Sequence, residues 1–243
     1  LKNNNMSYLI LVRHGQSIWN LEKRFTGWVD VDLTEQGKAE AEKAGILIKN
    51  KNMEINFYYS SIQLRANNTL KIIQKILGDD KDFIKAWQFN ERHYGALTGL
   101  NKVEMSKKIG ENKIHEFRRS WDIKPKALDK KNPFHPLNIA TYKDIPKEFI
   151  PDTESLEDTY KRVVNYFQKE IKGKLKDNNN VLISAHGNSI RALCKNLFNI
   201  DNNEITNLEI PTGNPLILEL DADTKIIKCE YLDKDRAKDL LVF

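Results

Sequence analysis

A chain of 243 residues, 40% apolar and 30% charged, can bury a substantial core and suits one α/β domain. Its net charge of +5 is spread over 39 basic and 34 acidic residues, with no basic stripe carrying interleaved aromatics, which favours small anionic ligands over nucleic acid. The two cysteines, Cys194 and Cys229, lie outside any CxxC spacing, and no apolar run nears the roughly eighteen residues of a membrane span. Together these argue against a disulfide framework, a cysteine metal site and a membrane partner, and predict a reducing, cytoplasmic setting.

Residues 1–7 precede any periodic pattern and read as a disordered lead-in or a remnant ahead of Met6; Arg13 breaks the next apolar run, which argues against a secretory signal. Residues 8–12, Tyr-Leu-Ile-Leu-Val, predict a strand buried on both faces. Thr34 can cap a helix running to about Asn50, with Ala41, Ala44, Ile46 and Leu47 on its inner side. Residues 55–59 predict a second strand, followed by a helix with Leu64, Leu70, Ile73 and Leu77 on one face and Gly78 at its end. Residues 82–87 predict a short third strand. Pro125, Pro133, Pro136 and Pro146 mark irregular chain, read as an insertion over the sheet at about 90–150. Order resumes at Ser155, where Ser155-x-x-Asp158 is a capping-box pattern ahead of Leu156, Tyr160, Val163, Val164, Phe167 and Ile171. Residues 181–185 predict a strand, a helix starts near Asn188 with Ile190, Leu193, Cys194 and Leu197 inside, and 215–220 pairs with 226–231 as a hairpin. The alternation predicts an α/β fold: a single domain with a mostly parallel central sheet and helices on both faces.

Two of these strands end alike, in His14-Gly15-Gln16-Ser17 and His186-Gly187-Asn188-Ser189. The carboxyl ends of parallel strands face one crevice where ligands bind, so two imidazoles about 170 residues apart can meet there. Arginine usage is a second signal, because only nine of the 39 basic residues are arginine. In so lysine-rich a chain an arginine marks a place where a planar fork is needed, as for phosphate or carboxylate. Arg13, Arg65, Arg92 and the pair Arg118-Arg119 fall beside motif boundaries, and together they predict a site for a small, highly charged anion. Taken singly, Glu91 reads as a solvated carboxylate, Lys102 as a surface lysine and Arg118-Arg119 as a solvated helix end. His93 reads as orienting its neighbours, His115 and His135 as surface or loop residues, and Trp19 and Trp28 as packing.

Eight segments change those readings: Leu11-Val-Arg-His-Gly-Gln-Ser17, Arg24-Phe-Thr-Gly-Trp28, Asn90-Glu-Arg-His-Tyr-Gly-Ala-Leu97, Gly99-Leu-Asn-Lys102, Phe117-Arg-Arg-Ser120, Thr153-Glu-Ser-Leu156, Ala185-His-Gly-Asn-Ser-Ile-Arg-Ala192 and Ile210-Pro-Thr-Gly213. In order and at these spacings, over about 8–232, the chain resembles the cofactor-dependent phosphoglycerate mutases of the histidine phosphatase superfamily. The resemblance implies a phosphoglycerate mutase-like catalytic domain over 8–243. It implies interconversion of 3-phosphoglycerate and 2-phosphoglycerate through a phosphohistidine, primed by 2,3-bisphosphoglycerate, with no metal. By the same resemblance His14 is the nucleophile, and Arg13, Arg65, Asn20, His186 and the main chain at Gly187 and Asn188 hold the transferring phosphoryl group. Gly15 lets the backbone approach the phosphate, and Glu91 is the general acid and base. Thr26, Gly27, Arg92, Tyr94, Lys102, Arg118 and Arg119 take the substrate carboxylate and second phosphate. Relatives of this kind are homodimers or homotetramers.

The chain departs from the family at Gln16, where many relatives carry Glu, at Phe117, where Trp is common, and at its end, where a longer polar tail is usual; a less closed pocket would leak phosphoryl to water. A phosphatase of the same superfamily would not need Lys102 or Arg118-Arg119. A non-catalytic phosphate-binding scaffold would have lost His14, His186 or Glu91. A bisphosphoglycerate synthase would replace Ser17, Thr26 or Gly27. All of these residues are present, which favours the mutase.

Overall fold

The first strand, β1 (Ser7–Arg13), shows why the sheet is internal: Leu9 and Leu11 join one apolar cluster, Ile10 and Val12 another, and none is more than 1% exposed. A computed structural model describes residues 6–237. Of the expected lead-in, 1–5 lie outside the described residues, while Ser7 already belongs to β1. The C-terminal residues 238–243 lie outside them too.

Along the chain follow α1 (Ile18–Leu21), α2 (Glu35–Lys49), β2 (Phe57–Ser60), α3 (Leu64–Leu77), β3 (Phe83–Lys85), α4 (Lys102–Ile109), α5 (Glu111–Arg119) and α6 (Leu156–Tyr166). A π turn (Phe167–Ile171) leads into α7 (Lys172–Lys176), and then come β4 (Val181–Ala185), α8 (Gly187–Phe198), β5 (Leu216–Leu220) and β6 (Ile226–Tyr231). The sheet order is β3-β2-β4-β1-β5-β6, parallel through the first four strands and antiparallel at the β5–β6 hairpin. One face packs on α6, α7 and α8 through Val163, Leu175 and Leu193, the other on α2 and α3 through Ala44, Ile48, Leu70 and Ile73. Every residue of β4 is buried, as a strand covered on both faces requires. No helix of the described residues is long and apolar enough to cross a membrane.

Local signals set most boundaries. Thr34 caps α2 through its side chain, Ser155 and Asp158 form the capping box of α6, and Gly78 closes α3 at φ +68°. Three expectations need correction. Ile46 is half-exposed and Ile48 takes the inner position, because the inward stripe of α2 runs Ala41-Ala44-Ile48. The 90–150 insertion is not wholly irregular, since it contains α4 and α5. His135 is in a loop but fully buried: its Nδ1 accepts from the Leu137 N–H and its Nε2 lies 2.9 Å from Asp152 Oδ1.

The turn after β1 is stitched to α2 and α3. Gln16 O accepts from the Thr34 N–H, Gln16 Oε1 accepts from Thr34 Oγ1, and the Gly15 N–H donates to Thr69 Oγ1. Gln16 therefore shapes this turn. At Gly15 a Cβ would sit 2.1 Å from the Gly37 carbonyl oxygen, so backbone packs directly on backbone. That contact, rather than room for a phosphate, is what demands glycine at this position. Gly15→Ala is therefore expected to lower unfolding free energy by about 1–3 kcal/mol, the usual cost of overpacking, measurable by urea denaturation.

Candidate active site

Parallel pairing of β1 with β4 sets Arg13 opposite Ala185, and the next residue of each strand is a histidine. The His14 N–H donates to the Ala185 carbonyl, and the two imidazoles meet edge to face with centroids 5.0 Å apart. His14 is 2% exposed. Its Nδ1 lies 2.7 Å from the Gly15 carbonyl, which can only accept, so Nδ1 carries the proton. Its Nε2 then keeps the lone pair and accepts from Arg65 Nε at 3.3 Å. Burial, with Arg65 and Arg13 alongside, holds this imidazole well below its usual range and therefore neutral. The result is a nucleophilic nitrogen of fixed tautomer.

Arg65, in the first turn of α3, is itself fixed: Nη1 donates to the Val29 carbonyl and Nη2 to that of Gly27, which a φ of +53° turns into place. His186 is the N-cap of α8 and wholly buried, its Nε2 2.8 Å from Ser61 Oγ. Burial, then Arg65 and His14, keeps its pKa well below the usual range as well. Gly187 and Asn188 follow in the first turn of α8, where N–H groups point outward and favour anions. Arg13 passes beneath Gly187 and donates from Nη1 to the Ile210 carbonyl.

The opposite wall comes from the insertion. Glu91 is 9% exposed, and its Oε1 accepts from the Arg92 N–H at 2.7 Å and the Asn188 N–H at 3.3 Å. The segment carrying it is clamped by a buried ion pair. Arg162 bonds Glu154 through two nitrogens and also donates to the carbonyls of Gln88, Asn90 and Glu91. Glu154 Oε2 in turn accepts from the His93 N–H. His93 accepts from the Gly95 N–H through Nδ1, and burial beside His135 brings its pKa down to about 3, so it orients backbone as a neutral ring.

Between the walls lies a cleft of about 610 Å³. Arg13, His14, Asn20, Thr26, Gly27, Arg65, Glu91, Tyr94, Lys102, Arg118, Arg119, Gly187 and Asn188 line it, with Arg191, Glu209 and Ile210. Burial, with Arg118, Arg13 and Arg119 close by, brings the Lys102 ammonium down to about 7. His186 is wholly buried against His14, edge to face with it. Arg92 does not line the cleft: Nε donates to the Glu154 carbonyl and Nη2 to that of Ile123, while Nη1 is buried without a partner among the described residues. Its guanidinium carbon lies 5.3 Å from the centre of the Tyr94 ring. Among the described residues no group of three or more His, Cys, Asp or Glu is arranged to hold a metal ion.

The family model of the histidine phosphatase superfamily (branch 1) matches residues 9–134 and 128–231. A 2,3-bisphosphoglycerate-dependent phosphoglycerate mutase of Pelagibacter ubique (strain HTCC1062) is 68% identical over 238 residues, 98% of this chain and 100% of that protein. The chain belongs to the 2,3-bisphosphoglycerate-dependent phosphoglycerate mutases of the histidine phosphatase superfamily. A second such mutase, from Borreliella afzelii (strain PKo), is 47% identical over 96% of this chain and 95% of its own. In fold the mutase is similar to Bacillus stearothermophilus YhfR, with TM-score 0.68 and 22% identity over 91% of this chain and 95% of that one. A mycobacterial glucosyl-3-phosphoglycerate phosphatase follows at 0.65 and 21%, over 87% and 92%.

Sequence reasoning missed several groups that build the mutase site. Arg191 lines the cleft and ties it together, donating to the carbonyls of Leu208, Ile205, Arg118 and Arg119 and to Asn188 Oδ1. Arg162 and Arg191 fall inside helical patterns rather than beside motif boundaries, so the arginine bias does not single them out. Glu209, which pairs with Arg119 at 3.1 Å, had no signal at all. Because Arg162→Leu would leave Glu154 buried without its cation, it is expected to cost about 3–5 kcal/mol, and Glu154→Gln in the same chain should recover part of that loss in urea melts.

Proposed function

We propose that the mutase reaction of this family runs in the cleft with His14 Nε2 as the nucleophile. The observation that carries the reading is the fixed tautomer of His14 set among cations: Nδ1–H is held by the Gly15 carbonyl and Nε2 faces Arg65. Phosphorylated His14 gives its phosphoryl group to the free hydroxyl of 3-phosphoglycerate while Glu91 takes the hydroxyl proton. His14 Nε2 then recovers the phosphoryl group from the other oxygen, to which Glu91 returns the proton, leaving 2-phosphoglycerate. Arg13, Arg65, Asn20, His186 and the amides of Gly187 and Asn188 stabilise the charge on the group in flight. Thr26, Gly27, Tyr94, Lys102, Arg118 and Arg119 hold the carboxylate and the phosphate that stays behind; Arg92 acts through Tyr94 and the backbone.

The cleft fits 2,3-bisphosphoglycerate, because six cations line it against the carboxylates of Glu91 and Glu209. When bound, that compound supplies the phosphoryl group that primes His14. Conversion of 3-phosphoglycerate to 2-phosphoglycerate in chelator is expected to depend on added 2,3-bisphosphoglycerate and to vanish in His14→Ala. Release of inorganic phosphate without isomerisation would instead identify a phosphatase.

A proton balance tests the cation cluster separately. With Lys102 at about 7, most of it is neutral at pH 8 in the free enzyme. A bound phosphoglycerate, carrying a phosphate dianion and a carboxylate, favours the ammonium form, so binding must draw a proton from solution. Calorimetric titration with 3-phosphoglycerate at pH 8, in buffers of different ionisation enthalpy, should show net proton uptake that Lys102→Met removes.

A further inference from the structure

The two histidines differ in what fixes their protons. For His186 the partner of Nε2 is the hydroxyl of Ser61, at the end of β2, 2.8 Å away, and both residues are 0% exposed. Ser61 Oγ already accepts from the Gln63 N–H, a donor whose polarity is fixed. Among the described residues His186 Nε2 is the one group placed to receive the Ser61 hydroxyl proton. If Nε2 carried a proton instead, that hydroxyl would be a buried donor without an acceptor, which costs about 1–3 kcal/mol. The other ring nitrogen, His186 Nδ1, is buried with no partner among the described residues.

We propose that Ser61 is a positioning residue that donates its hydroxyl proton to His186 Nε2 and so fixes the Nδ1–H tautomer, giving the site an N–H for the transferring phosphoryl oxygens where the other tautomer would offer a lone pair. This rests on the reading of His186 as a holder of that phosphoryl group. A lone pair there would repel the charge that develops in the transition state, so the tautomer acts on turnover more than on ground-state binding. The unpartnered Nδ1 is then a donor held for an acceptor that arrives with the substrate.

The experiment is a two-bond 1H–15N correlation spectrum of the imidazoles in the full chain at pH 7.5, with the His186 signals identified by their loss in His186→Asn. The wild type is expected to show neutral His186 protonated at Nδ1. Ser61→Ala should lose that preference and lower kcat by roughly tenfold or more, with KM for 3-phosphoglycerate within about threefold. Ser61→Thr, which keeps the hydroxyl, should restore both. A wild-type spectrum with the proton on Nε2 overturns the proposal without need of any variant, as does a Ser61→Ala protein with unchanged tautomer and kcat. Transfer of phosphoryl from 2,3-bisphosphoglycerate to wild-type His14, read by intact mass, is scored apart: its failure would overturn the mutase reading, whatever the tautomer.

Discussion

The site hangs on one hydrogen bond between strand ends, from the His14 N–H to the Ala185 carbonyl. It is the last rung of a parallel ladder that starts at Leu9 and Val181, so the register of five residue pairs, four of them wholly buried, decides where two imidazoles stand. A slip of one residue would turn the apolar set of β1 over and carry His14 away from His186. Burial on both faces makes such a slip prohibitive, and the placement of His14 is thereby a property of the core. The Gly15–Gly37 contact and the Thr69 bond then lock the turn that follows.

How the protein keeps so much positive charge at one place is the second theme. Three buried arginines, Arg65, Arg92 and Arg191, donate chiefly to main-chain carbonyls. A carbonyl dipole meets the hydrogen-bonding need of a guanidinium without cancelling its charge, whereas a carboxylate would do both. The one arginine of this region that bonds a buried carboxylate, Arg162, is used to hold backbone in place. Charge is thus left in reserve for a polyanion, while the desolvated Lys102 shows how close the cluster is to shedding a proton when empty.

What could be read in the sequence was what is encoded locally. Strand β1, strand β4, the Thr34 and Ser155 caps and the paired histidine motifs each lie within a few adjacent residues, and the arginine bias marked the kind of ligand. Most cleft-lining residues were legible only through the resemblance, since Glu91 or Lys102 alone carries no signal. Arg92 was misplaced because a motif reports position along the chain and not which carbonyls will capture a side chain. The role of Ser61, the clamp of Arg162 on Glu154 and the ties of Arg191 arise from contacts between segments far apart in sequence, where neither periodicity nor composition reaches. Ile46 was assigned inward by apolar character alone, though Ile48 completes the helical stripe.

The two walls of the cleft are anchored very differently. The histidine wall is continuous with the sheet, whereas α4 and α5 rest on a small cluster in which Ile114 is buried and Met105 and Phe117 are partly buried against Phe25, Tyr94 and Leu97. Moving that pair would uncover only this small cluster, whereas moving His14 means opening the main core. The cleft is built like a vice with one jaw cast into the bench: a substitution on α4 or α5 alters the opposite jaw while leaving the alignment of the two histidines to the sheet.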